Sequence, residues 1–501
     1  MRRDTRDRVR VPAVLVTWAA LAAVTAPAPA QAHVNSPDLF HEGMAGPYRL
    51  LVTIRPPDVI PGVAAIEVLA TRPDDLRQVT LVPIPIGGPG AKTAPVADVA
   101  VRAPEDPRLY RGTLWLMAPG SWQVRIHADG PRGAGDLAVP VPALALRTKA
   151  MQAGLGVMLL GLLAFLSAGL IGIIGVAVRD APLPAGATPD PARRRRARIA
   201  QLATALLLAA AFWAGGSWWG REHAFYRRLI YRPPELAAVL DGDRRLSLTL
   251  SDPGWIASPR LGDLLPDHGH LMHLFAVRLP ALDAIAHLHP SQDQHNHFTQ
   301  TLPALPAGSY ALFADVVHAN GLAETATATL TVGAGGSAPA PGDDAVGVAP
   351  PVGAGSDGSA AVTLADGTRV LWVRDAAPGG APAPLVAGRP GWFRFRVQDR
   401  AGAPATDLAP YMGMAGHAVF LKSDHSVFAH VHPSGSVPMA ALGLVAPAGA
   451  DPHAGHAMHQ PALPPEIAFP YACPQPGDYR IFVQFRRGQV IETAAFDARV
   501  R

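Results

Sequence analysis

Residues 286–291 read "AHLHPS", and residues 429–434 read "AHVHPS". Side chains at i and i+2 of a β-strand leave the same face, about 7 Å apart. Each copy can therefore aim two imidazoles, His287 with His289 and His430 with His432, in one direction. The following proline closes the strand, which predicts a pair at a strand end within reach of solvent and ions. The echo extends on both sides. "PDHGHLMH" at 266–273 aligns without a gap to "PYMGMAGH" at 410–417, and "GSYALF" at 308 matches "GDYRIF" at 477. Two exported β-modules are thus predicted to be repeats of one another. The second carries an insert that holds "DPHAGHAMHQ".

Outward from the repeats, the chain divides by pattern. Residues 1–32 have a basic start, an apolar core and "APAQA", the features of a cleaved signal peptide. Residues 33–148 give short β-runs split by Pro and Gly turns, including "YRLLVTI" and "SWQVRIHA". Transmembrane helices are expected over 149–178 and 199–220, because the apolar runs Met151–Val178 and Ile199–Gly220 meet the ~20 residues needed to cross a bilayer. Between them, 179–198 holds the Arg193–Arg196 run, which the positive-inside rule assigns to the cytoplasm. Both flanks then lie outside, as a signal peptide also requires. Gly169, Gly172 and Gly175 suggest close helix approach. A juxtamembrane segment (221–245), a His-rich module (246–333), a flexible Gly/Pro/Ala-rich linker (334–361) and a His/Met-rich module (362–501) complete the expectation. The fold class is mainly β, with three immunoglobulin-like sandwiches and a two-helix transmembrane hairpin.

Charge excludes one class of partner. The net charge is +4, but residues 1–32 and 179–198 hold eleven of the arginines against four aspartates. The rest is slightly acidic, so no basic footprint for nucleic acid remains. The single cysteine, Cys473, excludes a disulfide framework and a Cys-based zinc site.

Fifteen of the nineteen histidines fall within 268–318 and 417–459. Imidazole suits copper, zinc, nickel and iron, while thioether selects Cu(I). His273 and His417 are third ligand candidates, each opening a strand predicted to form a hairpin with its His-x-His strand. Upstream, His268 and His270 in one copy stand where Met412 and Met414 stand in the other. That exchange suits copper in two oxidation states better than zinc. His318 completes the candidates of the first repeat. His453, His456, Met458 and His459 form a possible capture loop. His33, at the expected mature N-terminus, could chelate Cu(II) through its amine and ring, with His41 or His127 as partner.

The stretch "PYMGMAGHAVFLKSDHSVFAHVHPSG", followed by "FPY" and "PGDYRIFVQFRRGQVIETAAFDARV", resembles immunoglobulin-like modules of bacterial exported proteins in the YtkA-like/FixH-like group. The opening "AHVNSPDLFHEGMAGPYRLLVTIRPPDVIPG" is similar to membrane-anchored members of that group. The resemblance implies extracytoplasmic metal homeostasis, tied to copper supply for respiratory oxidases; it carries no ligand set.

The resulting expectation is a non-enzymatic copper-binding protein of the cytoplasmic membrane, its modules on the periplasmic side. Its partners would be the metal ion, the bilayer and an exported copper donor or acceptor. The competing expectation is a scaffold of immunoglobulin-like domains that binds no metal. Catalysis or electron transfer has less support. A blue-copper site needs a Cys thiolate beside two His, and no His follows Cys473. No phosphate loop, G-x-S-x-G or H-E-x-x-H occurs.

Overall fold

A computed structural model describes residues 38–72, 76–87, 94–181, 183–184, 186–242, 244–254, 261–335, 339–351, 360–377, 379–446 and 463–501. The candidate signal peptide, His33 and the loop residues His453, His456, Met458 and His459 lie outside that set.

The described chain is mainly β, and every paired strand runs antiparallel to its neighbours. The first module comprises β1 (Leu39–Ala45), β2 (Tyr48–Arg55), β3 (Gly62–Ala70), β4 (Gln78–Pro85), β5 (Asp98–Val99), β6 (Val101–Arg102), β7 (Leu109–Leu116), β8 (Gly120–Gly130) and β9 (Gly133–Ala143). Its sheets have orders β1-β2-β3-β7-β6 and β5-β4-β8-β9. Alternation along β3, with Ala64, Ile66 and Val68 buried, supplies one wall of the core; Val124 and Ile126 of β8 supply the other.

Two helices follow, α1 (Ala153–Asp180) and α2 (Pro191–Leu229), both apolar and long enough to cross a membrane. Both run past the expected apolar limits. Asp190 caps α2, accepting from Arg193 N at 2.6 Å, and Pro191 opens it. The arginine run is made of good helix formers, so it continues the helix and does not form a loop. At the far end α2 passes Gly220 and reaches the first module, where Tyr226 Oη donates to Ile60 O at 3.0 Å. Of Gly169, Gly172 and Gly175 in α1, only Gly175 meets α2, against the side chain of Gln201.

The second module comprises β10 (Glu235–Leu240), β11 (Arg245–Ser251), β12 (Leu264–Leu265), β13 (His273–Leu279), β14 (Ala284–Leu288), β15 (Ser291–Gln294), β16 (His297–Thr301), β17 (Gly308–His318), β18 (Ala323–Val332) and β19 (Ala345–Val348). The third comprises β20 (Ala361–Thr363), β21 (Arg369–Val373), β22 (Gly391–Gln398), β23 (Leu408–Ala409), β24 (His417–Lys422), β25 (Phe428–Val431), helix α3 (Met439–Val445), β26 (Glu466–Tyr471), β27 (Gly477–Arg487) and β28 (Val490–Val500). One sheet recurs in both. The order β12-β17-β13-β14 with β18 on β17 matches β23-β27-β24-β25 with β28 on β27. The sequence repeat is therefore also a repeat of topology. Two boundaries move: β10 falls in the expected juxtamembrane segment, and β19, from the expected linker, pairs with β14.

The two recurring sheets pack on each other. Phe275, Val277, Ile285 and Phe313 meet Val419, Leu421, Phe428 and Phe482 in one buried cluster. By the repeat these two sets are equivalent positions, so the modules use the same face in a near two-fold arrangement. Phe313 and Phe428 stack with centroids 4.2 Å apart. Along β13 the alternate residues Leu274 and Ala276 turn inward to their own module's core. Residues of odd number on β13 and β14 face the other module, and that parity includes His273 and His287.

Candidate metal centre at the module interface

The hairpins β13–β14 and β24–β25 form as the spacing predicts. Their histidines do not end in solvent. His287 and His417 are fully buried, and His273 is 3% exposed. The second repeat packs over the strand ends of the first, and the first over those of the second. Eight imidazoles, from His268, His270, His273, His287, His289, His417, His430 and His432, form one continuous cluster. Neighbouring centroids range from 3.9 Å (His270–His289) to 6.1 Å (His268–His273).

Hydrogen-bond partners assign the protons. His273 Nε2 lies 3.0 Å from Asp267 O, and a carbonyl only accepts, so that nitrogen carries the hydrogen. His287 Nδ1 lies 3.0 Å from Gln484 Oε1, whose amide nitrogen is turned to Thr493 Oγ1. Tyr411 Oη donates to Asp343 O and adds a lone pair 3.4 Å from the same His287 nitrogen. With those protons in place, His273 Nδ1 and His287 Nε2 turn lone pairs towards one another, 3.0 Å apart. Two such lone pairs repel unless a cation takes both. At metal–nitrogen distances of about 2.0–2.1 Å, that separation would subtend roughly 91–97° at a shared ion.

The second repeat reproduces the arrangement. His417 Nε2 faces Tyr411 O at 3.3 Å, His430 Nδ1 faces the Asp315 carboxylate at 3.5 Å, and His417 Nδ1 meets His430 Nε2 at 3.0 Å. His289 donates Nδ1–H to Asp344 Oδ1 at 2.9 Å, which leaves Nε2 buried without a hydrogen-bond partner. One ring nitrogen from each of His273, His287 and His289 lies within 4.8 Å of the others, and the same holds for His268, His417 and His432. Carboxylates, an amide and carbonyls thus hold the outer nitrogens and free the inner ones, the usual outer shell of a metal-ligating histidine. Burial, reinforced by neighbouring rings, holds His273, His287 and His417 well below the ordinary imidazole value. Burial also lowers His289, against the pull of Asp344. These four rings stay neutral, the form that ligates.

Other candidates fall elsewhere. His318 bonds Asp263 at 2.9 Å and Glu324 at 2.8 Å, outside the cluster. Its counterpart Arg487 pairs with Asp407, so this position serves an ion pair in both repeats. Met414 joins a hydrophobic cluster with Val437 and Met439, as a packing residue. Met412 is 9% exposed in the turn before β24. His270 stacks on His289, with Asp343 at 3.8 Å. His41 lies against the turn after His432, and His127 bonds Asp136 on an exposed face. Cys473 is buried in the third module's core, where burial pushes its thiol up.

The outer residues went unrecognised in the sequence. Asp343 and Asp344 lie in the stretch expected to be a flexible linker, where a paired acid amid Gly, Pro and Ala was the available signal. Gln484, a polar residue on the interface side of the apolar strand β27, was another. A cavity of about 200 Å³ reaches His270, His273, His430 and His432. Its far wall includes Pro57, Leu146 and Tyr231, the last two from the segments that flank the helices.

Comparison with known proteins outlines the same pair of modules. The chain matches the family described as Domain of unknown function (DUF8832) over residues 237–334 and 380–501. That match takes in both repeats and leaves out the first module and the helix pair. No curated protein matches the chain. Among solved structures, trypsin-activated alpha-2-macroglobulin from Escherichia coli is 10% identical, with a TM-score of 0.17. The alignment covers 95% of this chain but 24% of the macroglobulin. MtrC from Shewanella baltica OS185 is 11% identical over 58% of this chain and 72% of its own, with a TM-score of 0.16. Similarity this low carries no argument about fold or function.

Proposed function

We propose that this protein is a membrane-anchored, extracytoplasmic metal-binding protein that holds copper between its two repeated modules and catalyses no reaction. The observation that carries the reading is the two groups of three histidines at the interface, His273 with His287 and His289 and His268 with His417 and His432, each offering one ring nitrogen per residue within 4.8 Å of the others. Taking a polar ring out of water costs about 1–3 kcal/mol unless a partner compensates. A scaffold of immunoglobulin-like domains would gain nothing for that cost, whereas a metal site uses it. Copper is favoured because the matched turns offer imidazole in one repeat and thioether in the other. The Arg193–Arg196 run at the start of α2 supports a cytoplasmic connection between the helices, with all three modules on the periplasmic face. Exchange with an exported donor or acceptor would use the cavity that reaches His270 and His432, since the inner histidines are buried.

The test is equilibrium dialysis of the full chain in detergent, stripped with chelator and then exposed to buffered copper. Copper retained by the wild type and lost from the His287→Ala/His430→Ala double variant is expected. A folded wild-type protein that retains none would refute the proposal.

A further inference from the structure

The two repeats do not merely lie side by side; each reaches into the other's histidines. His268 belongs to the first repeat, yet its ring lies 5.3 Å from His417 and 4.9 Å from His432 of the second. The turn that carries it is held there by Asp267, whose Oδ1 accepts from Ala440 N at 2.7 Å. The matched turn makes the reverse crossing. Tyr411, the counterpart of Asp267, places its ring 6.2 Å from His287 and donates to Asp343 O at 2.8 Å. Ring pairs across the interface are reciprocal too: His273–His430 at 5.6 Å and His287–His417 at 5.9 Å exchange under the repeat.

Met412 is the counterpart of His268. Both residues adopt the left-handed backbone, φ 48° and 49°, and both precede a glycine that does the same, Gly413 and Gly269. Two unlike residues share a conformation that L side chains rarely adopt. In each repeat this residue and its glycine are the centre of a tight turn, closed by reciprocal backbone hydrogen bonds between Asp267 and His270 and between Tyr411 and Met414, and such a turn needs positive φ at both. Under the two-fold relation that carries His417 and His432 onto His273 and His289, the position of His268 becomes that of Met412.

Resting on the copper-binding reading, we propose that the interface holds two copper ions, each completed by a ligand from the opposite repeat. One ion takes His273, His287, His289 and the Met412 thioether; the other takes His417, His430, His432 and His268. The sites are alike in geometry and unlike in chemistry. The thioether site retains Cu(I) preferentially, and the four-imidazole site accepts Cu(II) as well. Because each set spans both repeats, loading also fastens the modules together.

The experiment uses the full chain in detergent, loaded with Cu(I) and freed of excess metal. Copper per chain is measured, together with X-ray absorption at the copper edge. Two coppers per chain and a sulfur scatterer are expected in the wild type and in Met414→Leu. The sulfur scatterer disappears in Met412→Leu, a swap of similar volume that cores tolerate. His268→Ala keeps the sulfur signal while one of the two ions binds at least tenfold more weakly. One copper per chain, no sulfur in the wild type, or sulfur persisting in Met412→Leu would overturn the two-ion assignment and leave copper binding standing. Absence of any bound copper would overturn both.

Discussion

Replacing Asp344 with asparagine tests whether the outer carboxylate sets metal affinity. Asp344 is 7% exposed and makes three contacts. Its Oδ1 accepts from His289 N and faces His289 Nδ1, each at 2.9 Å, and its Oδ2 accepts from Gln300 Nε2 at 2.8 Å. Asparagine keeps the shape and an oxygen for both His289 contacts but removes the charge. A hydrogen bond to a charged group contributes about 1.5–3 kcal/mol, against about 0.5–1.5 for a neutral pair. Coordination at Nε2 makes the Nδ1 hydrogen more acidic, so most of that ~1–1.5 kcal/mol difference is felt in the loaded state. At about 1.4 kcal/mol per decade, copper should bind roughly tenfold more weakly. That value sits at the low end of the ~10–100-fold seen when outer-shell partners are removed. Competition against a chromophoric chelator measures it, with thermal melting of the metal-free protein as the check on folding. The control is Asp293→Asn, which alters the surface partner of His297 and should leave affinity unchanged. If Asp344→Asn keeps its affinity within twofold, the carboxylate does not orient a ligand and the outer-shell argument fails.

Two further outcomes follow from the packing and the charges. Phe428→Ala removes a fully buried ring that stacks on Phe313 between the modules. It should cost about 3–5 kcal/mol in denaturant melts and lower copper retention; a loss under ~1 kcal/mol would show that the interface does not depend on this contact. His318→Gln should change the pH dependence of stability. Burial opposes charge on His318, but the hydrogen bonds to Glu324 and Asp263 outweigh it, so its pKa is raised. The raised value gives stability that is full below the unfolded pKa of ~6.5 and is lost as pH rises through the folded pKa. The wild type's advantage over the variant should therefore be larger at about pH 6 than at about pH 8. An advantage independent of pH would contradict the charged triad.

Local pattern carried the sequence a long way. Alternation and turn residues marked the strands, an uninterrupted apolar content marked both helices, and the doubled Ala-His-x-His-Pro-Ser marked the repeat. Period two was enough to put His287 with His289, and His430 with His432, on one face, because that relation depends only on neighbours along a strand. What lay opposite that face depended on long-range packing. The strand ends read as accessible because nothing local shows that Phe275, Val277 and Ile285, on the same face, would be covered by a second copy of the same sheet. His318 looked like a ligand from its place at a strand end, and only the approach of Asp263 and Glu324 made it an ion pair. Asp344 and Gln484 reach the histidines from parts of the chain distant in sequence. The sequence by itself therefore determined which residues could ligate and that they came in two matched sets. The tertiary structure decided that the sets meet, that Asp267, Gln484 and Asp344 hold the outer nitrogens of His273, His287 and His289, and that His268 crosses to the other repeat. Those features arise from two apolar faces burying each other, a contact no stretch of either repeat encodes alone.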